Sequence, residues 1–179
     1  MKNYRVESAA VLYSAEQTPR VCLQDVRMLM RALEENRDLR SMRLCTHKDA
    51  AAPLHQMFIV QRRGAYIRPH RHRAREMMIT LFAGEMSVMI FSDDGAVEDV
   101  VPMGDFASGK SFYCRIPEGK YYTQIIESGQ AFFGEVLLGP FQSTNVLYAD
   151  FAPEADCGNA AAYLAMMTEK SRQWRAGGA

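Results

Sequence analysis

Apolar and polar positions alternate with two different periods along this chain. Between Val21 and Asn36 the apolar residues Val26, Leu29, Met30 and Leu33 recur three and four apart, with Arg27, Arg31, Glu34 and Glu35 in the gaps. That is the period of a helix with one buried stripe, and Pro19 just ahead suits a helix start. From Met57 the pattern shortens to runs of strand type over 57–63, 66–72, 75–82, 85–91, 96–101, 111–116, 121–126 and 131–137. Asp93-Asp94-Gly95 predicts a hairpin, because Asp-Gly supplies the positive φ that tight turns need. Pro117-Glu118-Gly119 and Ser128-Gly129 predict further turns. Short strands at this spacing predict an all-β sandwich or barrel. Periodicity lapses from Gly139-Pro140 to Pro153. It resumes as a helix over 159–174, with Asn159 as cap, a stripe of Tyr163, Met166, Met167 and Trp174, and a frayed tail at 176–179. Residues 1–20 give no clear period.

Composition narrows the function classes. The 179 residues suit one domain with appended segments, and the 48% hydrophobic content is that of a globular chain. Lys plus Arg (21) equals Asp plus Glu (21), so no net field favours nucleic acid or an anionic membrane. The local cluster Arg68, Arg71, Arg73 and Arg75 interleaves with histidines and reads as the rim of a site. The cysteines, Cys22, Cys45, Cys114 and Cys157, form no C-x-x-C pair and are expected as free thiols in a reducing compartment. With neither a signal-peptide pattern nor an apolar run near ~20 residues, a soluble cytoplasmic protein is expected, with no nucleic-acid or membrane partner.

The candidate chemistry centres on Pro69-His70-Arg71-His72. Side chains two apart on a strand share a face, so His70 and His72 point the same way. Arg68 shares that parity and reads either as a ligand-binding residue in the barrel or as a surface arginine at its mouth. Glu76 follows four residues after His72 and reads either as a metal ligand or as a solvated partner of Arg73 or Arg75.

Gly64-x5-His70-x-His72-x3-Glu76 resembles the first motif of the cupin superfamily, and Gly109-x7-Pro117-x-Gly119-x2-Tyr122 resembles the second. Gly84-Glu85, the Phe91–Gly95 hairpin, Glu135–Phe141 and Phe151–Glu154 extend the resemblance to WbuC-type cupin fold metalloproteins, which often occur among polysaccharide (O-antigen) biosynthesis genes. The resemblance implies a single cupin (double-stranded β-helix, jelly-roll) barrel over 43–155. It is preceded by an extension with one helix (1–42) and followed by a helix and tail (156–179). It also implies one divalent transition metal (Fe, Mn, Ni or Zn) held by His70, His72 and Glu76, a small-molecule ligand, and a homodimer.

This chain departs from the motifs at two positions. The motif-two histidine is Tyr122, and the usual glutamate position, counted back from Gly84, is Met77, one residue after Glu76. A one-residue shift turns a strand side chain to the opposite face. Phenol must lose a proton with a pKa near ~10 to bind metal strongly, and thioether is a soft ligand ill suited to manganese or ferrous iron.

Two functions follow. One is a metal-dependent enzyme of carbohydrate or polysaccharide biosynthesis acting on a sugar-like molecule, with Tyr122 or Glu76 as the catalytic proton-transfer group. The other is a non-catalytic small-molecule-binding cupin without the metal. His47, where the WbuC type tends to carry a histidine, joins Arg68 and Met77 as a candidate ligand-binding residue. Glu135 reads as facing the cavity or pairing with an arginine.

Overall fold

A computed structural model describes residues 3–177. The strands are β1 (Tyr4–Ser8), β2 (Val11–Ser14), β3 (Ser41–Cys45), β4 (Leu54–Arg62), β5 (His70–His72), β6 (Met77–Ala83), β7 (Glu85–Phe91), β8 (Val97–Gly104), β9 (Tyr113–Ile116), β10 (Tyr121–Ile126), β11 (Gln130–Leu138) and β12 (Val146–Tyr148). The α-helices are α1 (Leu23–Glu35) and α2 (Ala160–Gly177).

The strands form two sheets, ordered β1-β2-β3-β4-β11-β6-β9 and β12-β5-β10-β7-β8. Every pairing is antiparallel except β2 with β3. The sheets face each other across one core. Ile59, Ile79, Leu81 and Phe133 come from the first sheet, Met86, Val88, Met103 and Ile126 from the second. This is a jelly-roll barrel of cupin type, as the ordered motifs implied.

Each helix covers the outer face of one sheet. On β4, Ile59 points into the barrel and its neighbour Val60 points out to α1, where it meets Leu29, Leu33, Met42 and Leu44. On the second sheet Met89, Phe91, Val100 and Ile125 point outward and pack against Met167, Tyr163 and Leu164 of α2. Because both faces of both sheets are partly covered, many strands carry apolar residues at consecutive positions. This is why the alternation in the sequence is imperfect.

Asp25, 3% exposed, anchors the start of α1. Its carboxylate accepts the Cys22 backbone N–H at 2.6 Å and also accepts the Tyr4 hydroxyl, tying the helix to β1. The N-terminal segment is therefore more than a helical extension. The hairpin β1-β2 continues the first sheet through β3, which begins at Ser41, inside the segment read as extension. These strands are short and mostly half-exposed, so they lack the apolar alternation that marks a strand in sequence.

The expected strand over 66–72 is confined to His70–His72, since Pro69 has no N–H to give the ladder. β12 was not foreseen: three residues carry too little pattern. Helix α2 runs to Gly177, so residues 176–177 of the expected frayed tail are helical, and the rest of that tail lies outside the described residues. No described helix is long and apolar enough to cross a membrane.

Candidate functional site

Between the sheets lies a cavity of about 770 Å³, within the range of small-molecule sites. Its walls include Arg43 and Cys45 of β3, His55 and Gln61 of β4, Met77 of β6, Glu135 of β11, and His70, His72, Tyr122 and Gln124 of the second sheet. Strand parity selects these residues. Cys45 pairs with Met57, Met57 with Glu135 and Glu135 with Ile79, a row whose side chains all turn to the barrel interior.

The histidine pair behaves as its spacing requires. β5 lies between β12 and β10, with His70 opposite both Tyr122 and Tyr148. The ring centroids of His70 and His72 are 5.4 Å apart, and those of His70 and Tyr122 are 4.6 Å apart. His70 Nδ1 lies 2.9 Å from the Arg68 carbonyl, which only accepts, so Nδ1 carries the proton and Nε2 keeps its lone pair. His72 Nε2 is hydrogen-bonded to the Tyr122 hydroxyl at 3.2 Å.

Burial sets the protonation states. It lowers the pKa of His70, and it lowers that of His72 to about 4, helped by His70 and Arg75 nearby. Burial also raises the Tyr122 phenol well above its ordinary range. At neutral pH both rings are uncharged and the phenol keeps its proton. Either group can donate in the His72–Tyr122 bond, and neither carries charge.

Met77 and Glu76 part company at the start of β6. Met77, 4% exposed, faces the cavity beside Leu137 and Ile116. Glu76 lies on the outside, its carboxylate 3.5 Å from Arg115 Nη1. The expectation that Glu76 would join the histidines as metal ligand or proton-transfer group is not met by this geometry. The parity of β6 is fixed by Met77, Ile79 and Leu81 in the core.

The residues present do not fit the metal that the motifs imply. Among the described residues no group of three His, Cys, Asp or Glu side chains converges closely enough to hold an ion. Beside the two imidazoles stand a protonated phenol and a thioether, and one imidazole nitrogen is already engaged by that phenol. One carboxylate of the cavity wall, Glu135, accepts a hydrogen bond from Gln124 Nε2 at 2.8 Å.

The remaining candidates divide. His47 reaches the cavity wall, where its ring stacks on His55 at 4.0 Å and burial lowers its pKa. Arg68 also borders the cavity, but its guanidinium serves the protein: Nη2 donates to the Ala149 carbonyl at 3.0 Å and Nη1 lies 3.8 Å from Glu154. Sequence reasoning missed Arg43, Gln61 and Gln124. For Gln124, parity with Tyr122 was the available signal. For Arg43 there was none, because β3 was not recognised as a strand.

Residues 24–103, less than half of the chain, match the family described as "Domain of unknown function (DUF6016)". No curated protein matches the chain. Similar solved structures include protein SO0799 from Shewanella oneidensis, at 17% identity, 71% of this chain, 75% of that one and a TM-score of 0.47. Oxalate decarboxylase from Bacillus subtilis is similar at 18% identity, with 54% of this chain, 24% of that one and a TM-score of 0.44. KdgF from Halomonas sp. is similar at 11% identity, with 59% of this chain, 84% of that one and a TM-score of 0.45. The two facing antiparallel sheets and the cavity between them are this chain's own evidence of its architecture: it is a cupin-fold protein.

Proposed function

We propose that this chain is a metal-independent, small-molecule-binding cupin that takes a hydroxylated, sugar-like ligand into its barrel. The observation that carries this reading is the pairing of the cavity's polar groups. His72 bonds Tyr122 and Gln124 bonds Glu135, with both rings neutral and the cavity's Glu135 already holding the Gln124 amide. Such side chains both give and take hydrogen bonds, as hydroxyl groups do, and the surrounding Met77, Leu137 and Tyr148 supply apolar contact. The resemblance of the ordered motifs to WbuC-type proteins supports the sugar-like class.

Calorimetric titration with Fe(II), Mn(II), Ni(II) and Zn(II) tests the metal-free part. No stoichiometric heat is expected from the wild-type protein. Tyr122→His combined with Met77→Glu supplies the two missing donors and serves as the positive control. One equivalent of metal on the wild type, lost in a His70→Ala, His72→Ala variant, would overturn the reading.

A further inference from the structure

Four side chains on the cavity wall carry a buried polar atom without a partner, Arg43, His55, Gln61 and Arg68, and two of them, Arg43 and Gln61, are neighbours on the β3–β4 side. Arg43 is half-buried there, and its Nε is buried with no partner. Its one side-chain hydrogen bond runs from Nη1 to the Met57 sulfur at 3.9 Å, and thioether is a weak acceptor. Among the described residues no carboxylate forms an ion pair with it. Gln61, 3% exposed, leaves Nε2 buried and unpartnered on the same wall. Arg43 pairs with Ile59 and Ser41 with Gln61, so Arg43 and Gln61 are diagonal neighbours, a spacing of about 7–8 Å that long side chains bridge. A half-buried cation without an ion-pair partner and a buried amide N–H without an acceptor are both costly. Two such groups side by side in a cavity mark a place for an acceptor that the chain itself does not supply.

Elsewhere on the wall the unpartnered atoms are single: His55 Nε2, on a ring stacked against His47, and Arg68 Nε, on a guanidinium whose other nitrogens are engaged. Arg68 is held by Ala149 and Glu154, and Gln124 by Glu135. The cavity is thus divided into a donor-rich seat at Arg43 and Gln61, and a mixed donor–acceptor wall at Tyr122, His72, Gln124 and Glu135.

We propose that the ligand is a hydroxy acid whose carboxylate sits between Arg43 and Gln61 while its hydroxyls meet the Gln124–Glu135 and Tyr122–His72 pairs. The proposal rests on the sugar-like reading above and sharpens it. The guanidinium fork matches the two oxygens of a carboxylate. Charge balance favours carboxylate over phosphate: the seat holds one unpaired cation, and Glu135 in the same cavity opposes a second negative charge.

Matched probes test it: gluconate against sorbitol, and threonate against threitol, each titrated into the full chain by calorimetry. Each acid is expected to bind at least about tenfold more tightly than its alcohol. Arg43→Gln is expected to weaken acid binding at least about tenfold and so abolish that difference, and Arg43→Lys to keep part of it. Gln61→Leu is expected to weaken acid binding severalfold, and thermal unfolding of each variant checks that it is folded. Equal affinity of wild-type protein for acid and alcohol overturns the carboxylate seat and leaves the sugar-like reading standing. A preference surviving in Arg43→Gln overturns the seat's assignment to Arg43, and tighter binding of sorbitol 6-phosphate than gluconate overturns the charge assignment. Binding of neither acids nor alcohols at millimolar concentration sinks the sugar-like reading and the proposal with it.

Discussion

Three histidines of this protein are held neutral by burial, and that has a stability consequence with a definite sign. His72 titrates near 4 in the folded state, and His47 and His70 are lowered as well. Unfolded histidine titrates near ~6.5. Between those values the unfolded chain binds protons that the folded chain refuses, so stability rises with pH across that window. It is fully present above about pH 6.5 and is lost as the pH falls toward about 4. Urea unfolding measured from neutral pH down to acid is expected to show this decline, and His72→Asn to make it shallower. A decline equally steep in that variant would show that His72 is not one of the groups responsible.

At the scale of elements, what was legible in sequence depended on how many residues each element offers to a pattern. β7 and β10 stand where the apolar runs and their flanking turns put them, at Glu85–Phe91 and Tyr121–Ile126. Helix α1 was readable because Val26, Leu29 and Leu33 form one stripe and that stripe is what packs on β3 and β4. The short strands β1, β2 and β12 had three to five residues each and were read as irregular. The site shows the same division. The shared face of His70 and His72 follows from a period of two, whereas the placement of Met77 over Glu76 depends on where β6 starts, which the turn before it hides. Arg43 was invisible because its strand was.

The docking of α1 can be measured directly. Leu29 is fully buried among Leu33, Met42, Leu44 and Val60. Leu29→Ala leaves a cavity between helix and sheet and is expected to cost about 2–5 kcal/mol, read from the shift in the denaturant midpoint at constant slope. A change within measurement error would mean that the helix is not held to the sheet through this residue.

On the scale of the whole molecule, one strap runs along the wall of the cavity at Glu154, Ala155 and Asp156. The segment after β12 is held by Arg68 through the Ala149 carbonyl and Glu154, by the Tyr66 hydroxyl donating to the Pro153 carbonyl at 2.8 Å, and by Phe151 packing on Phe91 and Tyr121. Gly95 makes room for that phenylalanine: a Cβ there would lie 2.7 Å from its ring, at a φ of +86° that disfavours side chains in any case. Arg68→Ala removes one of the strap's attachments. Amide exchange is expected to quicken severalfold over residues 149–156 and to stay unchanged in α1, as hydrogen-exchange mass spectrometry would show. Equal protection in wild type and variant would leave Arg68 no part in holding the strap.

The same strap gives the cavity a place in time. Its walls come from Arg43 and His47 near one end of the sequence and Tyr148 and Glu154 near the other, and Tyr148 enters its sheet beside a partner, His70, that lies far earlier in the chain. A chain still emerging from the ribosome has the arginine seat and the phenol long before β12 arrives to face them. The complete cavity wall therefore exists only in the finished fold. A compound that binds the native cavity and not the unfinished chain would add RT ln(1 + [L]/Kd) to the last step of assembly.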